Sequence, residues 1–533
     1  MKNKLIIISF CTVILLAILV NLSFASKPNK PTTIKINISE KSWSIDPMIY
    51  GQMLEDCNDR IIYGGIVDKG GNENTHVTRI LKPLNIPVMR WPAGTFIHEY
   101  QWEYGIGPKE KRPVVPVINW GGIENYQFGT DEFLAWCKKL SIEPYINFNM
   151  SNHPILGGSL REALNWVDYV NGLDTTIYGR KRIDNGHKEP YGVKYWCIGN
   201  ENWGPFGVHE PESDTVYSDK LLLWGNTIKQ RFPNLSLLAV GHTLEWDREV
   251  LKKNAAIIDF LTQHYYVTSK VKDNQIQNAE NSLFAPSAFE EHIKSIGEML
   301  NEYNTALNRE DNPIRISVDE WNNRHSVFIN DKFKFDRHDP RRQYDVAIVA
   351  GVLNAFIRQC RTVGMANYIF PVNGHGLVRT VGDSDVFTTT LYPVFKKYRE
   401  VMVGKNLDLE VNGPGLQAEN INFSFEGDSK EITSMKGLLN YIDAAAAMTK
   451  DGTIFLSLVN RSHNTSQNVE VSIPVKFTPF SKWSLVSEDI NIGNTETHRE
   501  VVKATEEIIQ NNRKKLQLIV PPCGLVILKL IKR

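Results

Sequence analysis

Eight short apolar segments recur along the first 400 residues, and they constrain the fold of this chain more than any other feature. Their apolar residues run nearly continuously, which is typical of strands that are covered on both faces. Segments with helical periodicity lie between most of them, so eight β-then-α units predict an α/β fold, a (β/α)8 barrel. A doubly wound open sheet is the alternative, but no glycine-rich phosphate loop follows the first strand. The eight segments are MIYGQML, PVMRW, EPYINFNM, KYWCIGN, SLLAVGH, IIDFLTQHYY, IRISVDEW and MANYIFPV.

The pattern changes near residue 400, where helical periods fade and short strands separated by turn residues follow one another. Segments such as TIFLSLVNRS, NVEVSIPV and GLVILKLIK predict a C-terminal β-sandwich, and the early segment TTIKINI is a candidate extra strand of it. The predicted division is a signal peptide over 1–25, an N-terminal strand that joins the sandwich over 26–47, the barrel over 48–400 and the sandwich over 401–533.

The first 25 residues have the pattern of a secretory signal peptide. Two lysines precede an unbroken apolar run over 5–20, and a small-x-small pattern follows in NLSFAS. We expect cleavage after Ala25 and a secreted or periplasmic protein. An uncleaved anchor is the alternative, although the run is short for a membrane span. No later segment is long and apolar enough to cross a membrane, so no membrane association is expected once the signal is removed.

Charge and cysteine content argue against several classes of function. Lys+Arg and Asp+Glu both number 60, which gives no electrostatic case for nucleic acid. One of the six cysteines lies in the signal, and the other five are odd in number and widely spaced. This spacing argues against a disulfide framework or a zinc site and predicts buried free thiols. The first strand ends in GQMLEDCND, without the His-x-His cluster of a metal-dependent barrel hydrolase, so we predict neither metal nor cofactor.

Two glutamates lie where a barrel of this kind carries its chemistry. Barrel active sites are built at the carboxyl ends of the strands, and Glu201 and Glu320 end the predicted fourth and seventh strands. These strands can face each other across the barrel mouth. A pair of carboxylates there suits glycoside hydrolysis, in which one donates a proton to the leaving oxygen and the other attacks the anomeric carbon. A solvated acid at a strand end is the alternative for either residue alone.

A resemblance to a known family rests on segments that match in order and spacing. They are IYGQMLEDCNDRIIYGGIVD, RWPAGTFIHEYQWEYGIGPKEKRP, KYWCIGNENWG, HYY and SVDEWNN. Together they cover most of residues 45–400, and they make the chain resemble glycoside hydrolase family 51, the retaining α-L-arabinofuranosidases. The late β-rich region is similar to the family's C-terminal sandwich. The resemblance implies that Glu201 is the general acid/base and Glu320 the nucleophile.

The resemblance also implies substrate contacts around this pair. Asn200 would hydrogen-bond the sugar hydroxyl next to the anomeric carbon. Tyr266 would orient Glu320 and help to keep it ionised, while Glu55 would bind substrate hydroxyls. Arg90, also assigned to the binding site, would neutralise charge around the nucleophile. The structural alternatives are a strand-end cap for Asn200, a surface acid for Glu55 and a buried ion pair for Arg90.

The walls of the sugar site are less defined by the sequence. His264 is a candidate for lining the site or for packing within its strand. Thr95 replaces an asparagine that holds substrate hydroxyls in the family, and Thr388 falls where some members have a sugar-binding glutamine. A hydroxyl cannot make the paired contact of an amide, so these departures leave the sugar open. Three tryptophans are candidates for the wall or for the core: Trp91, Trp102 and Trp203.

The chain is therefore predicted to be a secreted retaining exo-glycosidase that removes terminal α-L-arabinofuranosyl units by double displacement. Its partner would be an arabinose-containing plant polysaccharide or oligosaccharide, such as arabinan or arabinoxylan, and the resemblance implies a homo-oligomer. An endo-glucanase or xylosidase on the same barrel is the first alternative, because Thr95 and Thr388 alter a subsite. A non-catalytic glycan-binding protein is the second, and the presence of both glutamates argues against it.

Overall fold

Two ten-stranded sheets organise the protein. The computed structural model describes residues 30–38, 42–382, 384–424, 432–509 and 514–533, and the predicted signal peptide lies outside them. One sheet closes into a barrel, and the other forms a C-terminal domain that is mostly β. Within the described residues, no helix is long and apolar enough to span a membrane. The five described cysteines are all free and buried, as the sequence predicts.

The barrel contains eight parallel strands, so the predicted (β/α)8 fold is confirmed. Each strand pairs with the next, and the pairing of the first with the eighth and of the eighth with the seventh closes the cylinder. The eight strands are β1 (Gly51–Met53), β2 (Val88–Trp91), β3 (Glu143–Phe148), β4 (Tyr195–Ile198), β5 (Ser236–Ala239), β6 (Phe260–Lys272), β7 (Arg315–Ile329) and β8 (Val363–Tyr368).

Every barrel strand is followed by at least one α-helix on the outside of the barrel. In the described part of the chain these helices are α1 (Thr75–Leu81), α2 (Thr130–Leu140), α3 (Leu160–Asn171), α4 (Ile177–Asp184), α5 (Asp214–Arg231), α6 (Leu244–Asn254), α7 (Ala279–Ala306), α8 (Gln343–Arg358) and α9 (Tyr392–Val401). Short 3-10 helices lie at Pro47–Tyr50, Lys82–Leu84, Thr95–His98, Trp102–Gly105 and Lys109–Lys111.

An aromatic cluster fills the space between the barrel and α2 and α3. Trp91 stacks on Phe133 with ring centroids 4.7 Å apart, and Trp102 stacks on Trp166 at 5.7 Å. Both Trp91 and Trp102 are buried in the core. The structure therefore assigns these two tryptophans to packing rather than to the wall of a sugar site.

Two barrel strands extend well beyond the others and rise above the mouth of the barrel. Strands β6 and β7 stay paired from Phe260 and Arg315 to Val271 and Val327, and β7 turns back into a short strand at Lys332–Phe335. Gln275–Ile276 pairs with the end of β6. This long ladder forms one wall above the strand ends.

The C-terminal β-rich domain includes a strand from the start of the chain. Thr32–Asn37 pairs with Gly404–Asn412 and with Gln467–Ser472. The other strands of this sheet are Ser44–Ile45, Ile442–Met448, Ile454–Asn460, Phe477–Leu485, Ala504–Ile508, Lys515–Val520 and Leu525–Lys532. Separate two-stranded pairs join Val115–Pro116 with Ile123–Glu124, Val378–Val381 with Asp385–Thr388, and Gly415–Ser424 with Ile432–Asn440.

Candidate active site

Two carboxylates and an imidazole meet at the mouth of the barrel. One ligand atom each from Glu201, His264 and Glu320 lies within 4.8 Å of the others. Glu201 follows β4, His264 lies on β6 and Glu320 on β7. All three side chains are at least nine-tenths buried. Glu201, just beyond the end of β4, and Glu320, within β7, thus face each other, although β7 does not end at Glu320 as the sequence predicts but continues to Ile329.

Glu320 is held by a different donor on each of its oxygens. Arg90 Nη1 donates to Oε1 at 2.7 Å, and the Tyr266 hydroxyl donates to Oε2 at 2.5 Å. Arg90 is 1% exposed, so its charge is fixed inside the barrel. Two donors on separate oxygens leave the carboxylate little freedom to rotate.

A break in strand register explains why two consecutive acids both point inward at this position. The register of β7 shifts against β6 between Val318 and Glu320, so one additional residue, Asp319, is inserted. Bulges of this kind re-aim side chains next to active sites. Asp319 is buried and accepts a hydrogen bond from Tyr145 at 2.5 Å, and it lies 3.2 Å from Arg90 Nε. Asp319 therefore holds Arg90 from below while Glu320 stands at the mouth.

Glu201 sits in a tight turn that begins where β4 ends. Its φ is 44°, in the left-handed region that non-glycine residues rarely adopt. Asn202 Oδ1 accepts from the Asn200 backbone at 3.1 Å, and a Cβ at Gly199 would meet that oxygen at 2.2 Å. The turn therefore depends on Gly199 and Asn202, and strained backbone of this kind is common at functional sites. His264 Nδ1 lies 2.7 Å from Glu201 Oε1.

The charges around Glu320 keep it ionised. Burial raises the pKa of Glu320, but His264, Arg90 and Tyr266 together outweigh burial and hold that pKa below its usual value. Burial lowers the pKa of His264, but the carboxylates of Glu320 and Glu201 outweigh it and raise that pKa above its usual value. An ionised carboxylate suits a nucleophile, and an imidazole 2.7 Å from Glu201 is placed to orient that carboxyl group.

Asn200 offers an amide group to the site. Its Oδ1 accepts from Arg90 Nη2 at 2.6 Å. Its Nδ2 is buried and has no hydrogen-bond partner among the described residues. A buried donor without a partner is costly in a folded protein. The position therefore suits an acceptor brought by a ligand, such as a sugar hydroxyl.

Glu55 forms another side of the mouth. Its Oε1 accepts from the Phe96 backbone at 3.0 Å and from Trp120 Nε1 at 2.9 Å. Burial and the nearby charge of Glu320 raise the pKa of Glu55 to about 8. Glu55 is therefore protonated at neutral pH, and it can donate as well as accept a hydrogen bond.

Two models of one enzyme family match successive parts of the chain. The α-L-arabinofuranosidase 1 domain matches residues 80–283, and the α-L-arabinofuranosidase C-terminal domain matches residues 319–523. A probable α-L-arabinofuranosidase C from Aspergillus niger is 32% identical over 497 residues, which are 88% of this chain and 92% of the relative. The chain belongs to the α-L-arabinofuranosidases.

A solved structure places this arabinofuranosidase in its sequence family. The chain is 27% identical to the thermostable GH51 α-L-arabinofuranosidase of Thermotoga petrophila, with a TM-score of 0.77 over 94% of this chain and 99% of that chain. An intracellular exo-α-L-arabinofuranosidase from Bacteroides ovatus is also 27% identical, over 85% of this chain and 86% of the relative. The predicted membership of glycoside hydrolase family 51 is confirmed, and so is the prediction of a glycoside hydrolase.

The arabinofuranosidase fold brings most of the predicted site residues together, but not all of them. Trp203 is half-buried and stacks on His242 with ring centroids 3.8 Å apart. The carbonyl of Thr95 accepts from Asn119 Nδ2 at 2.8 Å. Thr388 ends the strand Asp385–Thr388, and its carbonyl lies 3.5 Å from Asn494 Nδ2. Within the described residues, no hydrogen bond or ion pair joins the Thr95, Thr388 or Trp203 side chain to Glu201 or Glu320.

Sequence reasoning missed two residues of this site. Trp120 comes from the long loop between β2 and α2, and nothing in its local sequence indicates that it reaches Glu55. Arg324 lies on β7 with its guanidinium carbon 3.4 Å from the centroid of the Tyr266 ring. Side chains two apart on a strand share a face, so the spacing of Arg324 from Glu320 was a signal that could have found it.

The same three groups that meet at the mouth are also close enough to share a metal ion. The buried guanidinium of Arg90 lies 2.7 Å from Glu320, however, and already compensates that carboxylate. A second cation against the same carboxylate would be repelled by Arg90. Acid–base and nucleophilic chemistry therefore fit these residues better than metal binding.

Proposed function

We propose that this arabinofuranosidase is a retaining exo-enzyme that works by double displacement. Glu320 is the nucleophile and Glu201 the general acid/base. The observation that carries the proposal is the close approach of the two carboxylates, each with an oxygen within 4.8 Å of the other. Retaining enzymes hold their carboxyl groups about 5 to 5.5 Å apart, whereas inverting enzymes separate them by about 6.5 to 9.5 Å to admit a water.

In the first step a Glu320 oxygen attacks the anomeric carbon and forms a glycosyl ester. The bond to the leaving oxygen breaks, and that oxygen takes the proton of Glu201. The hydrogen bonds from Arg90 and Tyr266 orient the attacking carboxylate. Asn200 Nδ2 is available to the neighbouring sugar hydroxyl, where a hydrogen bond strengthens as positive charge develops on the ring.

In the second step Glu201, now ionised, removes a proton from water. The hydroxyl oxygen attacks the anomeric carbon, the ester bond breaks, and Glu320 leaves as a carboxylate. Two displacements at one carbon restore the original configuration. His264, 2.7 Å from Glu201 Oε1, is placed to hold that carboxyl in line for both proton transfers.

Covalent trapping tests these roles. A fluorinated or cyclophellitol-type arabinofuranoside should label Glu320, since the nucleophile forms the ester, and peptide mass spectrometry locates the label. Label on any other residue would overturn the assignment. Glu320→Gln should be unlabelled, whereas Glu201→Ala should still be labelled by a reagent with a good leaving group.

The substrate in this proposal is a terminal α-L-arabinofuranosyl unit on a plant polysaccharide such as arabinan or arabinoxylan. Glu55, Asn200 and Tyr266 line the site for that sugar. A glucanase or xylosidase remains the second candidate, because Thr95 and Thr388 replace amides of the family pattern. A panel of aryl glycosides separates the two candidates. Turnover of a glucoside or xyloside without turnover of the arabinofuranoside would favour the second.

Export from the cytoplasm is the remaining part of the proposal. It rests on the apolar run over 5–20, which lies outside the described residues. The relative from Bacteroides ovatus is named intracellular, so the family itself does not decide the location. The mature protein should begin at Ser26, and an intact mass that retains residues 1–25 in the cytoplasmic fraction would contradict export.

A further inference from the structure

Tyr266 lies between the carboxylate of Glu320 and an arginine that the mechanism above does not use. Its hydroxyl donates to Glu320 Oε2 at 2.5 Å. The guanidinium carbon of Arg324 lies 3.4 Å from the centroid of the same ring. This is well inside the distance of about 6 Å at which a cation and an aromatic face attract each other. One side chain thus touches both the proposed nucleophile and a fixed positive charge.

We propose that Arg324 is a positioning residue that acts on the nucleophile through Tyr266. The inference rests on the proposed function, since it assumes that Glu320 attacks the sugar. A cation on the ring face fixes the ring plane and draws electron density from the hydroxyl. Both effects favour the hydrogen bond that Tyr266 donates to Glu320.

The strands explain how this stack forms. Arg324 follows Glu320 by four residues on β7, and β6 places Tyr266 beside them, with His264 opposite Glu320 and Tyr266 opposite Asn322. Each oxygen of Glu320 is therefore linked to an arginine, one directly and the other through Tyr266. Arg90 reaches Oε1 directly, and Arg324 reaches Oε2 through the phenol ring.

A second layer of stacking holds Arg324 against Tyr266. The Phe335 ring lies 5.7 Å from the Arg324 guanidinium and 4.9 Å from that of Arg337. Arg337 in turn lies 4.6 Å from the Trp120 ring. The alternating rings and guanidinium groups form an arc from Tyr266 to Trp120, with one end on Glu320 and the other on Glu55. The strand that returns after β7 thus supports the ring that orients the nucleophile.

Several charged groups besides Arg324 set the ionisation of this site. The charged and titratable groups that face Glu320 are Arg90 on β2, Glu55 after β1, Glu201 after β4, and His264 and Tyr266 on β6. The groups that act on Tyr266 are Arg324, Glu320 and Glu201. Arg324 lowers the pKa of Tyr266, against larger effects of burial and Glu320 that raise it. Removal of Arg324 should therefore weaken the hydrogen bond that the Tyr266 hydroxyl donates to Glu320. Because that bond lowers the pKa of Glu320, the pKa should then rise.

A double-mutant cycle tests the route through Tyr266. Arg324→Gln should lower kcat about tenfold, equivalent to about 1.4 kcal/mol, with KM changed less than about twofold because the substrate contacts remain. The acidic limb of the pH profile of kcat/KM should move to higher pH. In a Tyr266→Phe background, Arg324→Gln should have no further effect on kcat or on that limb. The kinetics use an aryl α-L-arabinofuranoside.

A second substitution of Arg324 and a control substitution at another arginine accompany the cycle. Arg324→Met is the second variant, since it keeps the apolar stem, and thermal unfolding shows whether either variant folds. Arg361→Gln removes an arginine stacked 4.6 Å from Trp43, away from the barrel mouth, and should leave the acidic limb in place. Equal effects of Arg324→Gln in the wild-type and Tyr266→Phe backgrounds would overturn the proposal. A raised KM with unchanged kcat would overturn it too, because Arg324 would then contact substrate.

Failure of the proposed function gives a different result. If the wild-type enzyme does not hydrolyse the aryl arabinofuranoside, the substrate assignment fails before any variant is compared. The cycle is then measured on the aryl glycoside that the panel shows to be hydrolysed. A lack of coupling between Arg324 and Tyr266 on that substrate would overturn the positioning role alone.

Discussion

At the scale of single residues, neighbouring charges decide what each carboxyl group can do. Glu320 and Glu55 share one mouth and are both buried. Arg90 donates directly to Glu320, whereas the donors to Glu55 among the described residues are the Phe96 backbone and the Trp120 indole. Their pKa values move in opposite directions as a result, below the usual value for Glu320 and to about 8 for Glu55. The same residue type is thereby a nucleophile in one place and a neutral hydrogen-bonding group in the other.

The raised pKa of Glu55 predicts a pH-dependent cost to stability. The folded pKa of about 8 exceeds the ordinary value of 4.5, so the stability present below pH 4.5 is lost as the pH rises toward 8. Glu55→Gln keeps an acceptor for Trp120 and removes this loss. The free energy of unfolding of Glu55→Gln, minus that of the wild type, should increase as the pH rises from 5 to 8, by up to about 1.4 kcal/mol per pH unit.

Urea unfolding at pH 5, 6.5 and 8 measures this difference. Asp56 and Glu124, whose pKa values burial raises to about 6 and about 8, titrate in both proteins, so their contributions cancel in the comparison. Glu302→Gln is the matched control, because Glu302 is exposed on α7 and its replacement should give a difference that does not vary with pH. A Glu55→Gln difference that is equally constant would contradict the prediction.

At the scale of elements, the sequence predicts the barrel strands well because they are buried on both faces. All eight apolar segments became strands, and Glu201 follows the end of β4 as predicted. The prediction that Glu320 ends the seventh strand is wrong, because β7 continues from Glu320 to Ile329 through its long pairing with β6. The bulge at Asp319 was not predictable from apolar pattern, since it depends on the register between β6 and β7. Trp120 was missed because it comes from a loop, and loop contacts follow from tertiary packing rather than from local periodicity.

The start of that loop gives a prediction about Glu55. Gly94 has a φ of 67°, and a Cβ there would meet the Glu55 carboxyl carbon at 2.3 Å. Gly94→Ala should displace Glu55 from the mouth and raise KM by about two- to tenfold, since the net worth of a hydrogen bond from a neutral group is about 0.5 to 1.5 kcal/mol. Steady-state kinetics on the aryl arabinofuranoside measure KM.

Gly192→Ala is the matched control for this substitution. Gly192 also has a positive φ, 73°, but no atom lies within 4 Å of its Cβ position among the described residues. Both variants should lose stability because alanine disfavours a positive φ, and Gly94→Ala should lose more because its Cβ also meets Glu55. Only Gly94→Ala should change KM. A normal KM for Gly94→Ala would show that Glu55 does not bind the substrate.

At the scale of the whole molecule, α8 joins the barrel to the C-terminal domain. Every residue from Gln343 to Ile357 is buried, because the barrel covers one face of this helix and the β-rich domain the other. Gln343 Nε2 donates to the carbonyls of Leu485 and Cys523 at 3.1 and 2.8 Å. The nearly continuous apolar sequence of α8 therefore reflects cover on two sides, as expected for a helix buried all round.

The C-terminal end of α8 carries an ion-pair cluster that links three elements. Arg358 Nη2 lies 2.5 Å from Glu290 on α7, and Nη1 lies 3.0 Å from Asp443 of the strand Ile442–Met448. Nη1 also donates to the carbonyl of Ala444 at 2.7 Å. The arginine thus connects a helix of the barrel to the C-terminal sheet, and its loss would leave two largely buried carboxylates close together.

Arg358→Met should therefore destabilise the whole enzyme rather than the C-terminal domain alone. Removal of one partner from a buried ion pair costs about 3 kcal/mol or more, because the remaining charges stay desolvated. Thermal unfolding followed by calorimetry should show a lower midpoint with a single transition. Since Arg358 ends α8 on the side of the barrel opposite the mouth, kcat measured well below the new midpoint temperature should stay at the wild-type value.

Arg361→Met is the control for this substitution. Arg361 lies three residues further on and is exposed, so its replacement should change the midpoint little. If Arg358→Met instead split the transition in two, the domains would unfold independently, and α8 would not be the element that couples them.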